Sequence, residues 1–142
     1  MTIPRALPQG QKPIRESTLQ VFCDARQDAY GACAYLRRVF TYDKVECSLI
    51  AGKGLVASLK SQFVCRLELM GALVAVRLTE TQVEEMVTKV EKITFWGDST
   101  TILHWIRQTS STYKAFVANR VSEIHTIMSK LETTVHKAQF WL

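Results

Sequence analysis

The spacing of apolar residues changes its period near the middle of the 142-residue chain, and this change restricts the possible folds more than any other feature. Before it lie three consecutive runs rich in β-branched and aromatic residues, joined by short polar links. We predict a strand in each run: Leu19 to Ala25, Tyr30 to Tyr42, and Val45 to Ala57, the last broken by Gly52 and Gly54. Three successive strands with short connections are typical of an antiparallel meander.

After the change, segments with helical periodicity alternate with short apolar runs. The predicted elements are helix Arg66 to Val87, strand Lys92 to Trp96, helix Thr100 to Arg107 after an N-cap at Ser99, helix Tyr113 to Leu131, and strand Ala138 to Leu142. The predicted order is therefore β-β-β-α-β-α-α-β. A meander followed by β-α-β units predicts an α/β domain with one mixed sheet and helices on its faces.

Composition adds limits on domain organisation and partners. The first 17 residues hold all three prolines, which predicts a flexible arm before a single domain at residues 18–142. The sequence shows no secretory leader and no apolar run of membrane length, so we expect an intracellular protein without a membrane partner. A net charge of +5 favours an anionic partner such as nucleic acid. The four cysteines form no C-x-x-C pair, which argues against a zinc site.

Three of the 13 acidic residues lie where a solvated charge is not expected. Asp24 interrupts an apolar strand, Glu68 lies in the first turn of an otherwise apolar helix, and Asp98 lies at the C-terminal end of the strand Lys92 to Trp96. Each has an ordinary explanation: an outward-facing strand residue, a carboxylate near the positive end of a helix dipole, and a turn or cap residue. Taken singly, these explanations are favoured.

Taken together, the three carboxylates fall on the first strand, the first helix and the end of the fourth strand. In an open α/β sheet, ligands usually bind in the crevice at the carboxyl ends of neighbouring strands. Carboxylates that converge there repel one another unless cations neutralise them. Mg²⁺ prefers oxygen ligands, and two such ions about 3.5–4 Å apart can activate water and stabilise the leaving oxygen in phosphodiester cleavage.

Five segments, read in chain order, closely resemble the ribonuclease H-like region of BEL/Pao retrotransposon pol polyproteins: VFCDARQDAYGACAYLR, LIAGKGLVASLK, RLELMGALVAVRL, FWGDSTTILHWI and YKAFVANRVSEIH. The resemblance covers about Leu19 to Leu142. The motifs RLEL, DST.LHWI and FVANRV.EI are long and ordered, so the signal is specific.

The resemblance implies a ribonuclease H-like fold, with a five-stranded mixed sheet in which strands 1–3 are antiparallel and strands 4–5 parallel. It also implies hydrolysis of RNA in an RNA–DNA hybrid with Mg²⁺ or Mn²⁺ in a two-metal site. In that family the strand-one Asp bridges both metals, and Asp24 occupies its place. The helix Glu and the strand-four Asp complete the site on one metal, and Glu68 and Asp98 occupy their places. A further implied context is the rest of a pol polyprotein, in the cytoplasm or a retroelement particle.

The sequence departs from the family pattern at several positions. The family's fourth carboxylate lies after the last strand, so we expect that ligand and the C-terminal helix to be missing from this chain. Arg26 stands where a small Ser is usual, and it could compete with a metal for Asp24 or point to solvent. Cys65 stands where Pro usually precedes the RLEL motif.

Five basic residues are candidates for contact with nucleic-acid phosphates: Lys53, Lys60, Arg66, Lys114 and Arg120. For any one of them, a solvated charge without a partner is an equally good explanation.

Two functional hypotheses follow, and a question about the chain itself. The first is a metal-dependent ribonuclease H-type nuclease. The second is a catalytically impaired remnant that at most binds nucleic acid, because the fourth carboxylate is absent. The chain could also be a fragment of a longer polyprotein, which the genomic sequence beyond Leu142 would decide.

Overall fold

The computed structural model of the protein describes residues 14–26, 29–56, 64–86, 90–97, 99–107, 115–135 and 137–141. The elements in chain order are β1 (Ile14–Ala25), β2 (Ala29–Phe40), β3 (Val45–Val56), α1 (Val64–Glu85), β4 (Lys92–Trp96), α2 (Thr100–Arg107), α3 (Ala115–Thr134) and β5 (Lys137–Trp141). The predicted order of strands and helices is confirmed.

The five strands form one mixed sheet in the order β3-β2-β1-β4-β5. β1 pairs antiparallel with β2, and β2 with β3, which confirms the predicted meander. β1 pairs parallel with β4, and β4 with β5. The central strand β1 therefore ends at the same edge of the sheet as β4, as the predicted site requires.

The three described helices lie on one face of this sheet. Leu19, Val21 and Phe95 point to that face and are fully buried, because alternate residues of a strand face the same side. They share one apolar core with residues of α1 and α3, such as Leu73 and Val121. The good helix formers of α1 and its Pro-free sequence explain its 22-residue length.

No described helix covers the opposite face of the sheet. Phe22 and Leu49 lie there with 44% and 46% of their surface exposed. The Phe22 ring meets Tyr35 of β2 edge-on, with 5.8 Å between ring centroids. Trp96 of β4 donates its indole N–H to Gln20 Oε1 at 2.7 Å on the same face. Trp96 is therefore half-buried on this face and not part of the core.

β1 begins at Ile14, so residues 14–17, which the sequence assigned to the flexible arm, belong to the sheet. The sequence did not predict this part of the strand because its residues are mostly polar. Ser17 and Thr18 are nevertheless each only 3% exposed. The Ser17 carbonyl also accepts a hydrogen bond from Glu91 N at 3.0 Å. The rest of the predicted arm, residues 1–13, lies outside the described residues.

The predicted break in β3 at Gly52 and Gly54 is wrong, since both glycines pair with β2 and the strand continues to Val56. The irregularity between these strands is instead a register shift at Ala34 and Tyr35. The other predicted boundaries agree with the structure within about three residues. No helix of the described part of the chain is long and apolar enough to cross a bilayer.

Candidate functional site

Asp24 lies at the carboxyl end of the central strand, one residue before β1 ends. Its side chain is exposed, although residues on either side of it in the sheet are half-buried. The Asp24 carboxylate accepts a hydrogen bond from Ala25 N at 2.8 Å, which holds Oδ1 against the backbone. An open pocket of about 190 Å³ lies here, lined by Asp24, Ala25, Arg26, Ala29, Tyr30 and Gly31. Asp24 is therefore a carboxylate that an outside ligand can reach.

Glycines stand opposite Asp24 on the next two strands. Asp24 pairs with Gly31 of β2, and Gly31 pairs with Gly54 of β3. A Cβ on Gly31 would come 2.6 Å from the Lys53 carbonyl oxygen and 3.1 Å from Gly54 Cα. Both contacts are with backbone, which cannot swing away as a flexible side chain could. The sheet beside Asp24 therefore has no room for a side chain in place of Gly31.

Gly71 brings helix α1 against the same point of the sheet. A Cβ on Gly71 would lie 3.2 Å from the Asp24 carbonyl oxygen and 3.7 Å from the Gly31 carbonyl oxygen. The helix backbone therefore touches β1 at Asp24 itself, an approach that Gly permits because it lacks a side chain.

The close approach at Gly71 also positions Glu68. Residues three apart lie on the same face of a helix, separated by a rise of about 4.5 Å along its axis. Glu68, three residues before Gly71, is half-buried at this end of α1. Two carboxylates that are distant in sequence thus come from adjoining backbone segments.

Asp98 itself lies outside the described residues, and its part in the site stays a prediction. The residues around it are described. Cys23, which precedes Asp24, donates its thiol to the Trp96 carbonyl at 3.5 Å, and a Cβ on Gly97 would lie 3.5 Å from the same sulfur. Ser99 Oγ accepts from Ile102 N at 3.2 Å, which confirms the predicted N-cap of α2.

The chemistry of Asp24 and Glu68 suits a hard divalent cation, since both supply carboxylate oxygens. Neither forms an ion pair with a described basic residue. Arg26 is exposed and makes no ion pair with Asp24, which agrees with its pointing to solvent. No cluster of three or more His, Cys, Asp or Glu side chains occurs among the described residues, a set that excludes Asp98.

The basic candidates fall into two groups. Lys60 and Lys114 lie outside the described residues. Lys53 is exposed on β3, next to Gly54 at the same end of the sheet as Asp24. Arg66 of α1 and Arg120 of α3 are half-buried, and both contact the ring of Phe116.

Sequence reasoning missed two features of this region. Gly31 was not singled out, although a glycine inside a strand often marks a close approach of backbone. Phe116 was not singled out either, and its half-buried ring packs against the core and also contacts two guanidinium groups. Arg120 lies four residues after Phe116 in α3, a spacing that the sequence could have shown, whereas Arg66 comes from α1 and leaves no such pattern.

Comparison with known families and structures adds independent findings. Residues 1–99 match the family model described as "Pao retrotransposon-like RNaseH-like domain". No curated protein that was compared with the sequence matches it.

Two similar solved structures are ribonuclease H domains. The N-terminal RNase H domain of rv2228c from Mycobacterium tuberculosis has 7% identity and a TM-score of 0.53, with 89% of this chain and 80% of that chain covered. LC11-RNase H1, isolated from compost and solved in complex with an RNA/DNA hybrid, has 10% identity and a TM-score of 0.53, with 89% and 83% covered. At such low identity these likenesses show the fold alone, which is that of ribonuclease H.

Proposed function

Because the chain belongs to the family of Pao retrotransposon-like RNaseH-like domains, we propose that it hydrolyses the RNA strand of RNA–DNA hybrids with divalent metal ions. The observation that carries the proposal is the contact of Gly71 with the Asp24 carbonyl. This contact joins the turn of α1 that holds Glu68 to the end of β1, so two carboxylates from the family's motif positions share one edge of the sheet.

Three further observations support the proposal. β1 and β4 run parallel and end together, and the sequence continues from β4 through Gly97 to Asp98. LC11-RNase H1, which has the same fold, was solved with an RNA/DNA hybrid bound. A net charge of +5 agrees with a polyanionic substrate.

Asp24, Glu68 and Asp98 would hold Mg²⁺ or Mn²⁺ through their carboxylate oxygens. When bound, such ions activate water as a nucleophile and stabilise the leaving oxygen of a phosphodiester. The chain's own contribution is positional. Exposure of Asp24 admits the scissile strand, and the Ala25 N–H holds the Asp24 carboxylate in one orientation. Gly31 lines the pocket at Asp24 without a side chain that could obstruct it.

Part of the proposal concerns context. The family membership supports a retroelement origin, in which this domain acts as part of a pol polyprotein in the cytoplasm or a retroelement particle. For contact with substrate phosphates we propose five basic residues: Lys53, Lys60, Arg66, Lys114 and Arg120.

The decisive experiment measures cleavage of a labelled RNA–DNA hybrid by the 142-residue chain in Mg²⁺ or Mn²⁺. Replacing Asp24 by Asn keeps the shape and the Ala25 hydrogen bond but removes the charge. We expect the cleavage rate to fall by about 100-fold or more, because the variant loses an anionic ligand. Glu123→Gln is the matched control, since Glu123 pairs with Arg77 on the helices, and its rate should match that of the wild type.

Cleavage that survives Asp24→Asn would refute the proposed site. A wild-type chain that binds the hybrid but never cleaves it, in either metal, would instead favour the catalytically impaired nucleic-acid-binding module.

A further inference from the structure

Two arginines from different helices share one aromatic ring. The guanidinium carbon of Arg66, in α1, lies 4.7 Å from the centroid of the Phe116 ring, and that of Arg120, in α3, lies 4.1 Å from it. All three side chains are half-buried. Both distances fall within the range of cation–π attraction. We name Arg66, Phe116 and Arg120 the arginine cluster.

The positive charges of the arginine cluster are not neutralised by the described part of the protein. Elsewhere in that part, Arg15 pairs with Asp43, Arg38 with Glu46, Arg77 with Glu123, and Lys130 with Glu80. No described carboxylate forms such a pair with Arg66 or Arg120. Two like charges beside one ring repel each other, and partial burial strengthens the repulsion by reducing screening. An anion bound between them would relieve it.

The arginine cluster lies at the same end of the molecule as Asp24. α1 begins where β1 ends, as the contact between Gly71 and Asp24 requires. Arg66 is two residues before Glu68, which is a rotation of about 200° around the helix and a rise of about 3 Å. The two side chains therefore leave opposite sides of the same turn. The cluster flanks the carboxylates without being part of their site.

The chemistry of the arginine cluster indicates which class of ligand it would bind. A guanidinium group presents a planar fork of N–H donors that fits the oxygens of a phosphate, and the ring beneath fixes the fork's plane. The ring also limits the rotamer freedom that binding would otherwise remove. We propose that Arg66 and Arg120, held by Phe116, bind one phosphodiester group of the nucleic-acid backbone beside the cleavage site. This inference rests on the proposed function, since it assigns part of the same substrate to these residues.

The test measures binding of a fluorescent RNA–DNA hybrid in EDTA, over a series of salt concentrations, so that no metal and no cleavage are involved. Arg66→Gln and Arg120→Gln should each weaken binding about 5-fold at low salt. Each should also reduce the slope of log K against log salt by about 1, and the double variant by about 2. Arg77→Gln, which removes an arginine between the same two helices, should change affinity less than about 2-fold, because Arg77 already pairs with Glu123.

A variant with an altered ring separates charge from positioning. Phe116→Leu keeps an apolar side chain and both charges, so we expect about a 2-fold loss of affinity with an unchanged salt slope. Melting temperatures of all variants should stay close to that of the wild type. A misfolded variant would instead lose both hybrid binding and its thermal unfolding transition. In that case Arg66→Lys and Arg120→Lys, which keep the charge, should restore the slope of log K against log salt.

Unchanged salt slopes in the Arg66 and Arg120 variants would overturn the inference, as would a wild-type chain that does not bind the hybrid in EDTA. Weaker binding of an acidic peptide but not of the hybrid would also overturn it. The outcome is independent of catalysis. If the arginine variants lose affinity while the wild type never cleaves, the cluster stands and the nuclease proposal fails. If Asp24→Asn alone stops cleavage and the arginine variants bind normally, the reverse holds.

Discussion

Charged side chains are arranged differently at the two ends of the sheet. At the end where β1 begins and β2 ends, charged side chains are joined in pairs, as Arg15 with Asp43 and Arg38 with Glu46. At the end where β1 finishes, Asp24 and Glu68 have no described cationic partner. Arg66 and Arg120, on the flank of the same end, have no described anionic partner.

This difference matters because an unpaired charge contributes little to folding and is free to bind a ligand. The pairs at the first end include one with a buried member, since the Arg38 side chain is only 4% exposed. Removal of Glu46 would leave the buried charge of Arg38 without a partner, which is strongly destabilising. At the second end, Glu68 and Arg66 leave opposite sides of the same turn of α1. The protein thus keeps an anionic site and a cationic surface adjacent, and neither neutralises the other.

The backbone beside Asp24 can be tested first, with the largest expected effect. Gly31→Ala places a methyl group against the Lys53 carbonyl, and the strands must move apart. We expect the free energy of unfolding to fall by about 2–3 kcal/mol, as for other overpacked sites. Gly54→Ala is the control, because a Cβ there meets nothing within 4 Å. Urea denaturation measures both, and equal losses would contradict the assigned close approach.

A second test separates the helix contact from stability. Gly71→Ala adds a Cβ 3.2 Å from the Asp24 carbonyl, which should shift the first turns of α1 by a few tenths of an ångström. Ala also favours the helix by about 1 kcal/mol, so the net stability should change little. The Mg²⁺ concentration for half-maximal cleavage should rise about 10-fold, because Glu68 moves relative to Asp24.

Thr81→Ala is the matched control for Gly71→Ala, since it also raises helix propensity in α1 but lies on its exposed surface. Its metal dependence should equal that of the wild type. A Gly71→Ala variant with the same metal dependence as Thr81→Ala would remove the positioning role that we assign to this contact.

The smallest expected effect is a change in the free energy of unfolding. It has opposite signs at the unpaired acids and at the ion pair between Glu123 and Arg77. In EDTA, Asp24→Asn should raise the free energy of unfolding by about 0.5 kcal/mol, because it removes one of the charges that repel at the unpaired acids. Glu123→Gln should lower it by about 0.5 kcal/mol, because it breaks the pair with Arg77. Urea denaturation at low ionic strength measures both. Destabilisation by Asp24→Asn would show that Asp24 has a structural partner after all.

Much of the fold could be predicted from the sequence. The run of β-branched and aromatic residues from Leu19 to Ala25 defines a strand, and the Pro-free run that contains Leu67 and Leu73 defines a helix. The motif positions of Asp24 and Glu68 predicted that both lie at one edge of the sheet. The start of β1 was missed because Ser17 and Thr18 are polar, and their burial comes only from neighbouring segments.

What the sequence determined by itself is the order of elements, the family and the identity of the candidate acids, because these depend on local periodicity and on motifs of contiguous residues. Tertiary structure decided which backbones touch and which charges stay unpaired. The contact of Gly71 with Asp24 joins residues 47 positions apart, and the arginine cluster joins α1 to α3. Such contacts follow from how helices pack on a sheet, and the distances that decide them are set by the whole core rather than by any one segment.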